Sequence, residues 1–450
     1  MLVYIVLLGG GAGKRLWPLS NELRSKLFIE LLPSPAGGRE SMLGRVCRQL
    51  EEANLLHAAM IVTHQDQLPL TARHTRDRIP MIGEPYKKGT FTAAAIAALY
   101  LQSNGLATSE DIICIAPADV FAGEDFFRHF HSLPGLLREA QADLALLGTR
   151  PTHPTDQYGY ILPDTINEKG YAPIKRFVEK PEVRRAEQLI QQGALWNCGV
   201  YAFSLAYMLS RIEEAGLPLI YDELIARYEQ LPVISFDKQV GERTPRSIVV
   251  PYEGLWQDLG SWDSFTAQLD SHVIGNGYLS GNQGDSYIIN ELPYPIHLIG
   301  LTGIIAAASA DGILIADKKQ SQEIKAQLGN LPHQPMMGEL SWGSYRMIDN
   351  AAAGQDQLHV LTLCITISAG KQIGLQQHLN DCIAWTVLSG HGRFVRNGEI
   401  QEVRAGDQFN ILSEGSYAIA AESELVLLVV RIGEYISQEP LWVEAENKKP

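Results

Sequence analysis

A glycine-rich stretch near the start of the chain contains residues suited to holding phosphate groups. Residues 8–20 read L-G-G-G-A-G-K-R-L-W-P-L-S and follow an apolar stretch over residues 2–8. Glycines let a backbone turn sharply and bring its N–H groups close to an anion, and Lys14 and Arg15 add positive charge beside those groups. The pattern predicts a strand that ends in a nucleotide-phosphate loop. The glycines of this loop are Gly9, Gly10, Gly11 and Gly13.

The spacing within this phosphate loop excludes two common phosphate-binding motifs. A Walker A loop needs glycine and serine or threonine at two positions where the chain has Leu8 and Arg15. A dinucleotide-binding G-x-G-x-x-G run that starts at Gly9 would need glycine where Lys14 stands. We therefore do not expect a P-loop NTPase, or an enzyme that uses nicotinamide or flavin.

Alternating strand and helix patterns over residues 1–270 predict an α/β domain. Its apolar runs, which are typical of buried parallel strands, lie at residues 2–8, 58–63, 112–116 and 144–148. With helical patterns between them, these runs predict a Rossmann-like, mainly parallel sheet whose ligands bind at the carboxyl ends of the strands. The phosphate loop and Asp119, which follows the third run, are therefore expected at one rim.

The remainder of the chain has a different character. Residues 271–337 are rich in glycine and short β patterns, and we interpret them as a β-rich connecting module. Residues 338–440 alternate in hydrophobicity between tight turns, which predicts a compact β-barrel, and residues 441–450 form a tail.

Composition narrows the functional classes further. A chain of 450 residues is long enough for two or three domains, and its net charge of −14 argues against a nucleic-acid or membrane surface as partner. The first apolar stretch is too short for a signal peptide or a membrane span. Five scattered cysteines without C-x-x-C spacing favour reduced thiols and a cytoplasmic protein. A homo-oligomer is left open.

Eight short runs occur in the order and approximate spacing of one enzyme family. They are residues 8–20, Ser25-Lys26, 116–119, 157–161, 177–181 (F-V-E-K-P), 196–199 (W-N-C-G), 235–237 (S-F-D) and 256–262 (W-Q-D-L-G-S-W). Together they resemble the sugar-1-phosphate nucleotidyltransferases, and R-L-W-P-L-S is most similar to the mannose-1-phosphate guanylyltransferases, or GDP-mannose pyrophosphorylases. The α/β domain is therefore identified as a nucleotidyltransferase domain.

The resemblance implies a role for each matching residue. The catalytic residues are Arg15 and Lys26, and the Mg²⁺ ligands are Asp119 and Asp258. Besides the loop glycines, the nucleotide-binding residues are Glu84 and Thr90. The sugar-phosphate site comprises Gly159, Glu179, Lys180 and Asn197. The family pattern E-P-x-G-R-N-T becomes E-P-Y-K-K-G-T here, with Lys87 or Lys88 in place of the missing arginine.

The implied reaction takes GTP and mannose 1-phosphate to GDP-mannose and pyrophosphate, with Mg²⁺ as cofactor. The attacking phosphate is already an anion at neutral pH, which agrees with the absence of a recognisable nucleophile-and-base motif in the sequence. Two alternatives stay open at this stage. One is a nucleotidyltransferase for another sugar or base, and the other is a catalytically silent paralogue that binds nucleotide sugars and regulates a partner.

The predicted barrel resembles the cupin-type mannose-6-phosphate isomerase domain of some bacterial members of the family. Trp342-Gly343-Ser344-Tyr345 matches its P-W-G-x-Y opening, but the metal-binding segment 375–385 keeps only His378 of the histidine cluster. A metal site needs three or four converging ligands, so we expect no isomerase activity. The alternative is a new ligand set in which His378 acts with His359 or His391.

Overall fold

The computed structural model describes residues 2–11, 14–21, 23–280, 284–328, 335–340, 342–353, 358–377, 382–411 and 416–433. By their internal packing these residues form two units. The first comprises the described residues within Met1–Leu16 and Ser25–Asp270, and the second comprises those within Trp17–Arg24 and Ser271–Pro450.

The first unit alternates strands and helices. Its strands are β1 Val3–Leu8, β2 Leu32–Pro33, β3 Arg39–Glu40, β4 Ala59–His64, β5 Met81–Glu84, β6 Ile112–Pro117, β7 Val120–Ala122, β8 Leu144–Thr149, β9 Tyr160–Pro163, β10 Ala172–Val178, β11 Leu195–Ser204, β12 Ser247–Tyr252 and β13 Trp256–Asp258. Its α-helices are α1 Met42–Glu52, α2 Leu68–Thr75, α3 Thr90–Ser103, α4 Leu133–Ala140, α5 Val183–Gln191, α6 Leu205–Glu214, α7 Tyr221–Ala226 and α8 Trp262–Thr266.

A nine-stranded sheet in the order β5-β4-β1-β6-β11-β8-β12-β10-β9 forms the centre of this unit. Strands β5, β4, β1 and β6 pair in parallel, as do β8 and β12, whereas β11 runs antiparallel to both of its neighbours β6 and β8. The four predicted apolar runs are all strands, at β1, β4, β6 and β8. The expectation of a mainly parallel α/β sheet is confirmed, with two antiparallel strands: β11 in the centre, and β10, which runs antiparallel to β12 and β9.

Apolar side chains on both faces of the sheet explain why these strands are buried. One cluster includes Ile5 and Leu7 of β1, and the other includes Val6 of the same strand together with α3. Helix α3 is rich in alanine and buried almost all round, which is expected of a helix with no polar face. The pairing of β1 with β4 on one side and β6 on the other, which extends to Leu8, sets the place where its carboxyl end emerges.

The second unit is mostly β structure. Its strands are β14 Val273–Gly275, β15 Gly277–Ser280, β16 Tyr287–Asn290, β17 Ile296–Ile299, β18 Ile304–Ser309, β19 Gly312–Asp317, β20 Met337–Leu340, β21 Gly343–Ala353, β22 Leu358–Ile367, β23 Gln372–Gln377, β24 Cys382–Ser389, β25 His391–Arg396, β26 Glu399–Arg404, β27 Gln408–Ile411, β28 Ser416–Ala421 and β29 Leu425–Gly433, with one helix, α9 Ile324–Leu328.

Two sheets make up the barrel. Their strand orders are β20-β21-β22-β29-β24-β27 and β23-β28-β25-β26. Buried apolar residues from both sheets form one core, including Ile383, Trp385 and Tyr417. Trp385 and Tyr417 lie edge to face with ring centroids 5.2 Å apart. The barrel is thus a packed core, as expected for a small β-barrel.

The second unit also contains a segment from far earlier in the sequence. Asn21 Nδ2 donates to Asp311 Oδ2 at 2.7 Å, and Arg24 Nη1 donates to both carboxylate oxygens of Glu291 at 3.0 and 2.9 Å. Ser309 Oγ donates to the carbonyl oxygen of Pro18 at 2.6 Å. The predicted domain over residues 1–270 therefore includes one segment that the first unit lacks. This segment is the eight residues Trp17–Arg24 (W-P-L-S-N-E-L-R).

Two general expectations can be compared with the structure. All five cysteines are free thiols, in agreement with the prediction from their spacing. Within the described ranges, no helix has the length and apolar character needed to cross a membrane.

Candidate functional site

The phosphate loop and Asp119 lie at the same edge of the sheet. Strands β1 and β6 are parallel neighbours, and their last paired residues are Leu8 and Pro117. The loop therefore begins at Gly9, beside the point where the chain reaches Asp119. Gly9 donates its N–H to the carbonyl oxygen of Val62 at 2.8 Å, which holds the start of the loop against β4.

Lys26 occupies the centre of the site. Its Nζ lies 2.7 Å from Asp119 Oδ2 and 3.1 Å from Asp258 Oδ1, and its side chain is only 12% exposed. Burial by itself would lower the pKa of Lys26, but the two carboxylates outweigh it and raise that pKa above its usual range. Lys26 is therefore an ammonium held between two carboxylates at neutral pH.

Local pairing and capping bring Asp258 to this place. Strand β13 runs antiparallel to β7, and the register sets Asp258 opposite Val120, next to Asp119 in sequence. The chain then turns at Gly260, where an added Cβ would lie 3.0 Å from Asp258 Oδ2. Ser261 ends the turn by capping α8 through a reciprocal capping box with Ser264. The G-S-W part of the run is therefore structural, whereas Asp258 faces the site.

Arg15 lies near the Asp258 carboxylate, at the outside of the site. Its Nη2 donates to Gln157 Oε1 at 3.4 Å in an exposed contact, and an added Cβ at Gly260 would lie 3.3 Å from its Nη1. A weak, exposed contact leaves the guanidinium able to turn toward an incoming anion. Gly13, the last glycine of the predicted loop, lies outside the described residues.

A cavity of about 400 Å³ opens beside the phosphate loop. Its lining includes seven of the predicted site residues, namely Gly9, Gly10, Gly11, Lys26, Glu84, Thr90 and Asp119. Its volume lies in the range of small-molecule sites in proteins. The predicted nucleotide-binding residues within the described ranges are thus brought together at one cavity.

Glu84 ends strand β5 and is almost completely buried at this cavity. Tyr228 donates its O–H to Glu84 Oε1 at 2.5 Å. Burial raises the pKa of Glu84, while the Tyr228 hydrogen bond and the charge of Lys87 oppose that rise. Lys87 lines the cavity, whereas Lys88 Nζ donates to the carbonyl oxygen of Glu229. Of the two lysines considered for the missing arginine, only Lys87 therefore lines this cavity.

A second cavity, of about 220 Å³, adjoins the first and shares Lys26 and Asp119 with it. Its lining includes the predicted sugar-phosphate residues Gly159, Glu179, Lys180 and Asn197, together with Asp258. An added Cβ at position 159 would lie 2.8 Å from Glu179 Oε2 and 2.9 Å from Phe177 Cζ, so a larger residue there would displace these side chains. Two groups of predicted residues thus meet at Lys26 and Asp119.

Glu179 and Lys180 form an ion pair at this second cavity, with Oε1 and Nζ 2.8 Å apart. Lys180 has a left-handed backbone with φ of +44°, an uncommon conformation for a residue with a side chain. The Glu179 N–H donates to Glu242 Oε1 at 3.0 Å, which helps to hold the strained turn. Burial, and next the charge of Asp237, raise the pKa of the Glu179 carboxyl.

Asn197 belongs to a hydrogen-bond network that the sequence did not predict. Its Nδ2 donates to Tyr201 at 2.6 Å and to Asp237 Oδ1 at 3.2 Å, while its Oδ1 accepts from the Gly199 N–H at 3.0 Å. Tyr201 donates to the same Asp237 oxygen at 2.5 Å, and Ser235 donates to the other at 3.1 Å. Asp237 lines both cavities, so it is a site residue. The family-like run over residues 235–237 contains it, but sequence reasoning assigned it no role.

Aromatic side chains enclose the second cavity on one side. Tyr158 lies edge to face with Trp196 and Trp256, with centroid distances of 4.9 and 5.4 Å. Burial and the charge of Asp258 raise the pKa of Tyr158 to about 12, so its hydroxyl stays protonated at neutral pH. Trp196 is buried and Trp256 is half-buried, and both pack in one apolar cluster.

Two family models match the chain. The model described as nucleotidyl transferase matches residues 4–271, which is more than half of the chain, and the model described as mannose-6-phosphate isomerase C-terminal matches residues 333–443. The first match covers every described residue of the site. The second covers most of the barrel and also includes His378, which lies outside the described residues.

Curated relatives and a solved structure extend this comparison. A putative mannose-1-phosphate guanylyltransferase of Vibrio cholerae is 26% identical over 98% of this chain and 99% of its own length. The alginate biosynthesis protein AlgA of Pseudomonas fluorescens is 27% identical over 86% of this chain and 83% of its own. A crystal structure described as mannose-1-phosphate geranyltransferase from Thermus thermophilus aligns with a TM-score of 0.61 and 27% identity, over 73% of this chain and 99% of that one.

Proposed function

The chain belongs to the nucleotidyl transferase family, and from this premise we propose that it transfers the guanylyl group of GTP to mannose 1-phosphate. A phosphate oxygen of mannose 1-phosphate attacks the α-phosphorus of GTP. The bond from that phosphorus to the bridging oxygen of the β-phosphate breaks, and the products are GDP-mannose and pyrophosphate. The named relatives support the substrate pair, and the site supports the reaction type.

The observation that carries the proposal is the position of Lys26 where the two cavities meet, between Asp119 and Asp258. The attacking phosphate monoester is a dianion at neutral pH, because its second pKa is about 6. No side chain has to remove a proton. The barrier lies in bringing two anions together, so positioning and charge neutralisation dominate.

In the proposal, three sets of residues bind the two substrates. The Lys26 ammonium contacts the α-phosphate and the attacking phosphate, and it leaves its carboxylate partners to do so. Arg15 and the N–H groups of the phosphate loop bind the β- and γ-phosphates. Glu179 and Asn197 bind sugar hydroxyls, and Lys180 binds the sugar phosphate. Asn197 Oδ1 is the acceptor suited to a hydroxyl, since its Nδ2 already donates twice within the protein.

The residues around Lys26 fit a bound Mg²⁺. Asp119 and Asp258 direct one oxygen each at a single cation, the Lys26 ammonium, and hard carboxylate oxygens are what Mg²⁺ prefers. Among the described residues no group of three or more His, Cys, Asp or Glu could hold a metal ion. Asp119 and Asp258 would therefore hold Mg²⁺ together with substrate phosphates, and the ion would neutralise phosphate charge.

Glu84 supports the choice of guanine. A buried carboxylate accepts from the N1–H and the 2-amino group of guanine, which adenine does not offer and uracil offers only in part. Competition kinetics test the assignment with GTP, UTP, dTTP and ATP against mannose 1-phosphate and glucose 1-phosphate. We expect the highest kcat/KM for GTP with mannose 1-phosphate. A higher kcat/KM for UTP or dTTP than for GTP would refute the assignment of GTP as the substrate.

We further propose that the barrel has no isomerase activity. Ile383, where the isomerase pattern has a ligand glutamate, is 1% exposed and packs in the apolar core with Trp385 and Tyr417. His391 is exposed and shares a hydrogen bond of 3.0 Å with Ser423. Metal analysis of the full chain with a mannose-6-phosphate to fructose-6-phosphate assay tests this. Stoichiometric metal and metal-dependent isomerisation would refute the proposal.

A further inference from the structure

Glu84 and Tyr228 form a buried pair at the larger cavity. The Glu84 residue is 4% exposed and Tyr228 is 1% exposed, and the tyrosine O–H reaches Glu84 Oε1 at 2.5 Å. The two residues are 144 positions apart in sequence, on β5 and on a short 3₁₀ turn after α7. Tyr228 is absent from the runs that resemble the family, so no sequence motif connects it with the site.

The second oxygen of Glu84 lies on the phosphate-loop side. An added Cβ at Gly10 would be 3.3 Å from Glu84 Oε2, and within the described ranges this oxygen has no hydrogen-bond partner. Glu84 lines the cavity together with Gly10. One oxygen is therefore fixed by the protein, and the other is left to accept from a ligand.

Fixing one oxygen determines what the other can recognise. A carboxylate can rotate about its last bond, and a hydrogen bond to Oε1 stops that rotation and holds Oε2 in one place. A donating O–H also favours the ionised carboxylate over the carboxylic acid. Only the ionised form accepts from two adjacent donors of a purine base, because the acid uses one oxygen as a donor.

We infer that Tyr228 is a positioning residue for guanine selectivity, which holds the Glu84 carboxylate ionised and in the orientation that accepts from the base. The inference rests on the proposed function, since it assumes that the base binds at Glu84. Tyr228 does not contact the base. It acts through Glu84 alone.

Other charged groups near Glu84 enter its pH dependence as well. Lys87 acts on Glu84 through its charge and favours the ionised form, as Tyr228 does. Lys26 and Asp119 line the same cavity but pair with each other. His64 is the β-sheet neighbour of Glu84, and its Nδ1 lies 3.2 Å from Asp66 Oδ2. Tyr228 is the group among these that donates a hydrogen bond to Glu84.

The test replaces Tyr228 by phenylalanine in the full chain and compares GTP with ITP, which keeps the N1–H of guanine but lacks the 2-amino group. We expect Y228F to raise KM for GTP about tenfold with little change in kcat. The preference for GTP over ITP should fall toward one. The acid limb of the pH profile of kcat/KM for GTP should move to higher pH, because the carboxyl loses a hydrogen bond that favours its ionised form.

A matched control separates positioning from general stability. Y207F removes a tyrosine hydroxyl that bonds Thr244 at 2.6 Å in the same unit, and Tyr207 does not line the cavity. Both variants can lower Tm, but only Y228F should change the GTP-to-ITP ratio and the acid limb. In a Glu84→Gln background, adding Y228F should no longer move that limb, since an amide does not titrate and the remaining acid limb belongs to the substrate phosphates.

Two outcomes are distinguished. If the wild-type protein uses GTP but Y228F keeps its GTP-to-ITP ratio, its KM and its acid limb, the inference about Tyr228 is overturned and the proposed function stands. If the wild type shows no turnover with GTP, the proposed function fails. In that case, Kd values for GTP and ITP measured by calorimetry test the inference about Tyr228 separately. If the ratio of the two Kd values is the same in wild type and Y228F, the inference is contradicted.

Discussion

Replacing Lys26 by methionine removes the ammonium that lies 2.7 Å from Asp119 and 3.1 Å from Asp258. In the proposed reaction this ammonium contacts two phosphates. A hydrogen bond between charged groups contributes about 1.5–3 kcal/mol, so losing two costs about 3–6 kcal/mol of transition-state stabilisation. That corresponds to a fall in kcat/KM of about 10² to 10⁴.

Pyrophosphate release with GTP and mannose 1-phosphate measures this effect, and thermal unfolding checks that the variant folds. Folding should survive, because the Asp119 and Asp258 side chains are 32% and 37% exposed and stay hydrated. Lys169→Met is the control, since Lys169 pairs with Glu139 at 2.6 Å on the surface. A Lys26→Met enzyme whose kcat/KM stays within about threefold of wild type would refute the assignment.

Three further predictions follow from the site and the barrel. Asp119→Asn should raise the Mg²⁺ concentration for half-maximal activity about tenfold, and an unchanged Mg²⁺ titration would count against the ligand role. Glu179→Gln should raise KM for mannose 1-phosphate with KM for GTP unchanged. The pKa of Glu179 in the folded protein is raised, so wild-type stability is lost as pH rises from the ordinary glutamate pKa through the raised one, and the variant should gain Tm relative to wild type over that rise. A constant Tm difference would contradict this. Ile383→Ala should destabilise the barrel by about 2–5 kcal/mol in a denaturant titration, and a change below about 1 kcal/mol would show that the residue is not in a packed core.

The parts of the fold that depend on local pattern could be predicted from the sequence. The apolar runs that became β1, β4, β6 and β8 are buried on both faces, so their composition alone marks them. Strand β11 was missed because it contains Asn197, Cys198 and Gly199 at a change of register, which interrupts the apolar pattern. Direction in a sheet also depends on the neighbouring strands, which are distant in sequence.

Some site residues could likewise be placed from local pattern, whereas others depend on contacts between distant parts of the sequence. Asp119 could be placed at the sheet edge because it follows β6, whereas Asp258 reaches it only through the pairing of β13 with β7. Tyr228, the partner of Glu84, is a long-range contact that no spacing rule indicates. Asp237 lies in a family-like run, but its hydrogen bond to Asn197 depends on the fold. The packing of Trp17–Arg24 with the second unit has no local pattern either, because it depends on individual polar contacts with residues about 300 positions later.

The central claim is that an oxygen of the sugar phosphate, and not an oxygen of water, forms the new bond to the α-phosphorus. Mannose 1-phosphate labelled with ¹⁸O at its three non-bridging phosphate oxygens tests it, with GTP, Mg²⁺ and the full chain, by mass spectrometry of the products. Direct attack predicts GDP-mannose that retains all three labelled oxygens, together with unlabelled pyrophosphate. Release of GMP, labelled pyrophosphate, or no GDP-mannose from a folded protein would contradict the account.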